Sequence, residues 1–143
     1  MREIKNILES QLLPQVQKPS RYLGTELNSV HKDASKVDVR IALTFPDLYD
    51  IGLDNLGLHI LYAVLNQLDY VWAERVYAPA VGMENLLKEY NIPLFALESK
   101  DPLSHFDGIG FTLQSELTYT NILNILSLSN IPLRTKDRSE TDP

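Results

Sequence analysis

One stretch, residues 39–61 (VRIALTFPDLYDIGLDNLGLHIL), constrains the fold of this chain more than any other. A short apolar run at 40–45 predicts a strand. It leads into a loop carrying Pro46, Asp47, Asp50, Gly52 and Gly57, and amphipathic helical spacing begins directly after it. In an open parallel sheet, ligands bind outside the carboxyl ends of the strands, so the loop after this first strand is the first candidate site.

The remaining pattern repeats the alternation. Ile4, Ile7, Leu8, Leu12 and Val16 fall at helical spacing, so the amino terminus should form a helix, bent or shortened by Pro14. The following stretch, to residue 37, has turn formers and no clean period and reads as an irregular arm along the domain edge. The first strand is expected at 38–45. Its helix is expected at 55–67, with Leu56, Ile60, Ala63, Val64 and Leu68 as the core face and Asp54 or Asn55 as N-cap. A second strand is expected at 71–77, a helix at 83–90, a brief strand at 94–97, a third main strand at 107–113 and a helix at 116–129. Residues 134–143 read as a polar tail. No internal repeat stands out. Strands alternating with helices argue for right-handed βαβ units and a parallel sheet. The predicted organisation is an arm (1–37), an α/β domain (38–133) and the tail. A doubly wound domain normally carries five or six strands, so this one reads as incomplete, the front part of something longer.

Absences narrow the chemistry. Among 143 residues there is no cysteine, which removes disulfides, thiolate zinc sites and cysteine-held iron–sulfur clusters from this chain. The net charge is −6 with no Lys/Arg cluster, which gives no support for a nucleic-acid surface. No signal-peptide core is present, and no apolar run approaches the ~20 residues needed to cross a bilayer. The expectation is a cytoplasmic protein with no membrane partner.

The candidate site residues have bland readings beside the functional ones. Gly52 and Gly57 either admit a ligand close to the backbone or permit a tight turn and close helix–sheet packing; without a following Lys-Ser/Thr they are not a phosphate-binding loop. Asp47, Asp50 and Asp54 read as caps and dipole complements rather than as a cation site, because an EF-hand's alternation is missing. No metal site is expected. His31, His59 and His105 have no partner at ligand spacing, and Ser115 and Glu116 form no triad with them. Trp72 and Tyr77 should point to opposite faces of the second strand. Tyr49, in the loop, is the better candidate for a ligand or domain contact.

The blocks PSRYLGTELNSVHKD, DVRIALTFPDLYDIGLDNLGLHILY, WAERVYAPAVGMENLL, IPLFALES and FDGIGFTLQSELTYTNILNIL resemble, from Pro19 onward, the amino-terminal region of a family of uncharacterised radical S-adenosylmethionine (SAM) proteins, related to Fe–S oxidoreductases. Members carry a cobalamin-binding-like domain ahead of a catalytic radical barrel. The resemblance implies that a 4Fe–4S cluster and SAM belong to a parent protein, since the CxxxCxxC that would hold the cluster is absent here. It also implies a corrinoid site built on a D-x-H-x-x-G loop. Asp47-Leu48-Tyr49-Asp50-Ile51-Gly52 keeps that spacing with tyrosine in the histidine position. A phenol with a pKa near ~10 is a poor cobalt ligand at neutral pH. The family's small hydroxyl after the third strand is matched by Thr112, the leucine two positions later is replaced by Gln114, and its Gly-Gly would fall past residue 143.

These readings converge on an incomplete doubly wound, flavodoxin-like and cobalamin-domain-like parallel sheet with a helical arm. The expected function is a non-catalytic accessory domain of a radical SAM protein. A degenerate corrinoid crevice (Asp47, Tyr49, Gly52, Asn55, Gly57, Thr112, Gln114) or docking to the catalytic barrel would be its role. Two other classes remain open. A flavodoxin-like nucleotide-binding protein is disfavoured by Asp47 and Asp50 where phosphate would sit. An assembly module would self-associate through the third strand, left as an apolar sheet edge by the usual strand order.

Overall fold

A computed structural model describes residues 2–143, with side chains from residue 4 onward. Helix α1 (Arg2–Ile7) runs into a π-helical turn, Leu8–Leu12, and a 3-10 turn, Leu13–Gln15. Pro14 lacks the N–H that an α-helix interior needs, and the widened turn accommodates it. The helical arm is thus shortened where its proline sits. There follow β1 (Val39–Leu48), the short α2 (Tyr49–Gly52), α3 (Leu56–Asn66), β2 (Val71–Ala78), α4 (Val81–Glu89), β3 (Gly108–Phe111) and α5 (Tyr119–Leu128).

The three strands form one parallel sheet in the order β2-β1-β3, the open α/β arrangement expected. Val39 pairs with Val71 and Phe45 with Tyr77, and the register then skips to Leu48 with Ala78. Pro46 and Asp47 occupy this irregularity, where a residue without an N–H costs no ladder bond. They therefore belong to β1 and not to the loop the sequence suggested. One face of the sheet carries α3, with Leu43, Phe45, Ala73 and Tyr77 against Leu58 and Tyr62. The other carries α4, α5 and the amino-terminal turns, around Ala42 and Val76. The connection leaving β1 covers one face and the connection into β3 the other, which makes the gap between β1 and β3 the topological switch point.

Two expectations are corrected. Residues 94–97 are not a strand. Leu97 donates to the Arg75 carbonyl (2.9 Å), Phe95 makes a single antiparallel bridge with Pro102, and the chain turns back at once through Ala96 N to Asp101 O (2.9 Å). The segment 97–101 is a clip over the outer edge of β2. The core face of α3 is also different. Leu56, Ile60 and Val64 are 70%, 53% and 53% exposed, Ala63 and Leu68 also face solvent, and the buried positions are Leu58 and Tyr62. Nearly every residue of this helix is apolar, so spacing alone selects no face. Its rotation is set by polar tethers. The Asn66 amide donates to the Ala73 carbonyl (2.9 Å) and accepts from its N–H (3.1 Å), and the Tyr62 hydroxyl donates to Glu98 (3.1 Å).

Helices α4 and α5 stop the same way. Asn91 and Asn130 adopt positive φ (52° and 58°), and Ile92 and Ile131 donate back to Leu87 and Leu126 (2.8 and 3.0 Å). Both are Schellman ends, with a buried isoleucine and then a proline that prevents continuation. The same tetrapeptide, Asn-Ile-Pro-Leu, stands at both ends, at 91–94 and 130–133, too short to count as a structural repeat.

Gly24 (φ +62°) is where the arm crosses the clip: a Cβ there would lie 2.0 Å from the Leu97 carbonyl oxygen. Gly82, in α4, has nothing within 4 Å of its Cβ position. Gly24→Ala is expected to destabilise the fold by about 2 kcal/mol or more, and Gly82→Ala to be neutral or stabilising by up to about 1 kcal/mol. Urea unfolding of the two variants checks the contrast.

Candidate functional site

The polar chemistry around the sheet starts from the charges that β1 and β2 carry within their length. Arg40, Glu74 and Arg75 point into the domain and must find partners there, since an unpaired buried charge is strongly unfavourable. On the α4/α5 face, Arg40 bonds Glu74 (2.5 Å) and Asp101 (2.7 Å) and lies over the rings of Trp72 and Phe106. Burial pushes the Glu74 carboxyl up, against the pull of Arg40 and the Ser99 amide. On the α3 face, Arg75 bonds Glu98 (2.6 Å) and Glu26 (2.7 Å), with Tyr62 beneath it. The clip thus supplies Glu98 to one face and Ser99 and Asp101 to the other. Lys100, between them, donates to the Leu23 and Leu97 carbonyls, and burial lowers its pKa to about 8.

This seam takes in the loop after β1. The Tyr49 hydroxyl donates to Glu26 (2.5 Å), and its ring meets Tyr77 edge-on at 5.2 Å. Burial and the adjacent Glu26 raise the phenol pKa well above its usual value. Burial would also raise the Glu26 carboxyl, but hydrogen bonds from Tyr49 and Arg75 outweigh it and hold the pKa down to about 2. Asp50 pairs with Lys18 (3.2 Å) and Arg21. The loop is drawn onto the arm.

The other sequence-derived site residues have simpler places. The Asp47 carboxylate accepts from the neighbouring Leu48 amide (2.7 Å). Gly52 is covered by Phe45 and Tyr77, whose ring atoms would lie 2.6 Å from an added Cβ. Asn55 caps α3, accepting from Leu58 N–H (2.9 Å), and Gly57 has open space apart from the Asn55 side chain. Thr112 donates its amide to Thr44 (3.0 Å) at the switch point. The hydroxyls of Thr44 and Thr112 are both buried without a partner. Gln114 is exposed. Tyr49 and Gly52 therefore come together around Tyr77, Asn55 and Gly57 around the start of α3, and Thr112 at β3. Among the described residues no hydrogen bond joins the Tyr49 loop to the turn at 112–116. No group of three or more potential ligands converges on a metal position among them.

The fit to a histidine-ligated corrinoid is poor on this geometry. The residue in the ligand position is a protonated phenol already donating to a carboxylate, and the glycine meant to open the backbone lies under two aromatic rings. The residues missed from the sequence are those that hold the loop: Glu26, Arg75 and Glu98. A signal existed, since Glu-Arg in the middle of an apolar strand requires counter-charges from elsewhere in the chain.

Residues 57–143 match the family model described as radical SAM proteins, N-terminal. Thr112 and Gln114 fall within the matched span, while Asp47, Tyr49, Gly52 and Asn55 precede it. No curated protein and no solved structure matches the chain. Among the described residues no helix is long and apolar enough to cross a membrane.

The Glu26–Tyr49 bond is testable in acid. The Glu26 pKa in the folded protein lies below its ordinary 4.5, so its stabilisation is complete above that value and is lost as pH falls toward about 2. Tyr49→Phe should raise the Glu26 midpoint, followed by carboxyl-carbon NMR, and cost about 1 kcal/mol at neutral pH. An unmoved midpoint would show that Tyr49 does not hold this carboxylate.

Proposed function

The chain belongs to the radical SAM protein N-terminal family, and on that premise we propose that it is a non-catalytic accessory domain that docks against the catalytic radical SAM domain of its parent protein. The observation that carries this reading is the unpartnered apolar flank of α3. Gly57, Leu61, Val64 and Leu68 lie along one side of the helix, opposite the side that meets the arm, and Leu61 and Val64 are 51% and 53% exposed. On the same face of the sheet, Gly108 and Gly110 leave β3 without side chains, beside Ile41 and Leu43. An apolar helix flank next to a bare strip of sheet is a surface that gains by being covered.

The edge of β3 supports the same reading. Its residues hydrogen-bond to β1, and among the described residues Gly108–Phe111 make no bond on the other side. Leu113, Leu117, Tyr119 and Leu123 are exposed just beyond it. Such an edge pairs with another strand or associates with itself. On this reading the partner is the catalytic domain, and self-association is what the isolated chain does in its place.

Corrinoid ligation by this loop is not part of the proposal, because Tyr49 is committed to Glu26. Titration with hydroxocobalamin should leave the corrinoid spectrum unshifted; a shift that Tyr49→Phe abolishes would reverse that conclusion. Docking is tested by mixing the chain with the separately produced catalytic domain and measuring association by calorimetry. Leu61→Lys with Val64→Lys should weaken association by at least about tenfold while changing unfolding stability by no more than about 0.5 kcal/mol per site. Equal affinity with and without these changes would sink the proposed flank.

A further inference from the structure

Between the arm and α3 lies an open cavity of about 820 Å³, on the opposite side of the helix from the docking flank. Leu27, Val30, Leu53, Ala63 and the ring of Tyr62 supply most of its wall. Its volume falls within the range of pockets that take a small organic ligand, with apolar walls and a few polar groups fixing orientation.

The polar groups decide the ligand's chemistry. The charged residues on the wall are Glu26, Asp54 and Arg75, which leaves one negative charge in excess. The Arg75 guanidinium is already matched by Glu26 and by Glu98 behind it. Asp54 is exposed and enters no ion pair among the described residues. His59 donates its Nε2–H to the Leu53 carbonyl, so that nitrogen is already engaged. The side-chain amides of Asn28 and Gln67 can accept or donate, so the excess carboxylate charge is what sets the preference, and it favours positive charge. An anion would meet Asp54 and Glu26 with the only cation on the wall already saturated.

We propose that this cavity binds a small organic cation with an apolar body, its ammonium or amidinium end against Asp54 and its body between Leu27, Val30 and Ala63. The site is separate from the docking flank and shares Glu26 and Arg75 with the seam around Tyr49. It is formed by the arm lying against α3, so an occupant would also hold these two elements together.

The test is an amide NMR titration of the whole chain with 2-phenylethylammonium, and with 2-phenylethanol and phenylacetate as neutral and anionic probes of similar size. The ammonium should give saturable shifts at Val30, Ala63 and Gln67 with a dissociation constant on the order of millimolar, as expected for so small a probe. It should bind at least about fivefold tighter than the alcohol, with phenylacetate weakest. Asp54→Asn, at an exposed position, should keep the melting temperature and remove the preference for the cation. Three results would each overturn the proposal: equal binding of all three probes, an unchanged preference in Asp54→Asn, or no shift at the cavity residues.

Discussion

The bond between Arg75 and Glu98 is the contact on which the arrangement of the domain depends. Arg75 lies in the middle of β2, 4% exposed, and Glu98 comes from the clip that crosses the outer edge of that strand. Desolvating such a pair offsets much of its Coulomb attraction, so its value lies less in net stability than in the single geometry it permits. That geometry extends outward. The second carboxylate on Arg75 is Glu26 of the arm, Glu26 also receives the Tyr49 hydroxyl, and Glu98 receives the Tyr62 hydroxyl. Strand, clip, arm, loop and helix are thus referred to one guanidinium. Moving the strand, the clip or the arm would break one of its ion pairs, and moving the loop or the helix would take a hydroxyl donor from Glu26 or Glu98.

The same seam explains which parts of the fold were legible in the sequence. Strand and helix alternation is written in apolar spacing, and the parallel sheet follows from it; a cap at Asp54 or Asn55 follows from residue type, and Asn55 is the one that accepts from Leu58 N–H. The rotation of α3 does not, because a helix apolar on all sides can present several faces to a sheet equally well. Its face is chosen by Asn66 reaching the Ala73 backbone and Tyr62 reaching Glu98, contacts between residues distant from any local pattern. Residues 94–97 have strand-like composition, yet Asp101 and Ser99 are needed at Arg40 and Glu74, and that requirement turns the chain back before a ladder can form. The candidate site was legible in its position and not in its contacts. Tyr49 does stand directly after β1 in a parallel sheet, but its partner is contributed by an arm whose sequence shows no period.

Tyr49 differs in chemistry from the histidine that the corrinoid-loop resemblance would place there. Imidazole in this loop could ligate a metal from a neutral ring, whereas a phenol is held as a hydrogen-bond donor by the carboxylate beside it. The bond that raises the Tyr49 pKa is one of those that lower the pKa of Glu26, so each partner stabilises the other's protonation state. At neutral pH the pair is a tether between loop and arm. Its chemistry favours staying in place over exchanging protons or ligands.

The two sides of the sheet consequently differ in kind. Along the outer edge of β2 the backbone is closed by side chains: Lys32 on Val71, Asn66 on Ala73, and Glu98 with Leu97 on Arg75. An edge so occupied offers no template for another strand. Among the described residues nothing comparable lies along β3, the strand is short, and two of its residues are glycines. On the docking proposal, polar closure on one side and apolar exposure on the other direct association toward β3 and the adjoining flank of α3. Because the seam tethers α3 by its other side, a partner that covered the exposed flank would meet a surface already positioned, and a pre-organised apolar surface loses less entropy on being covered than one that must first be ordered.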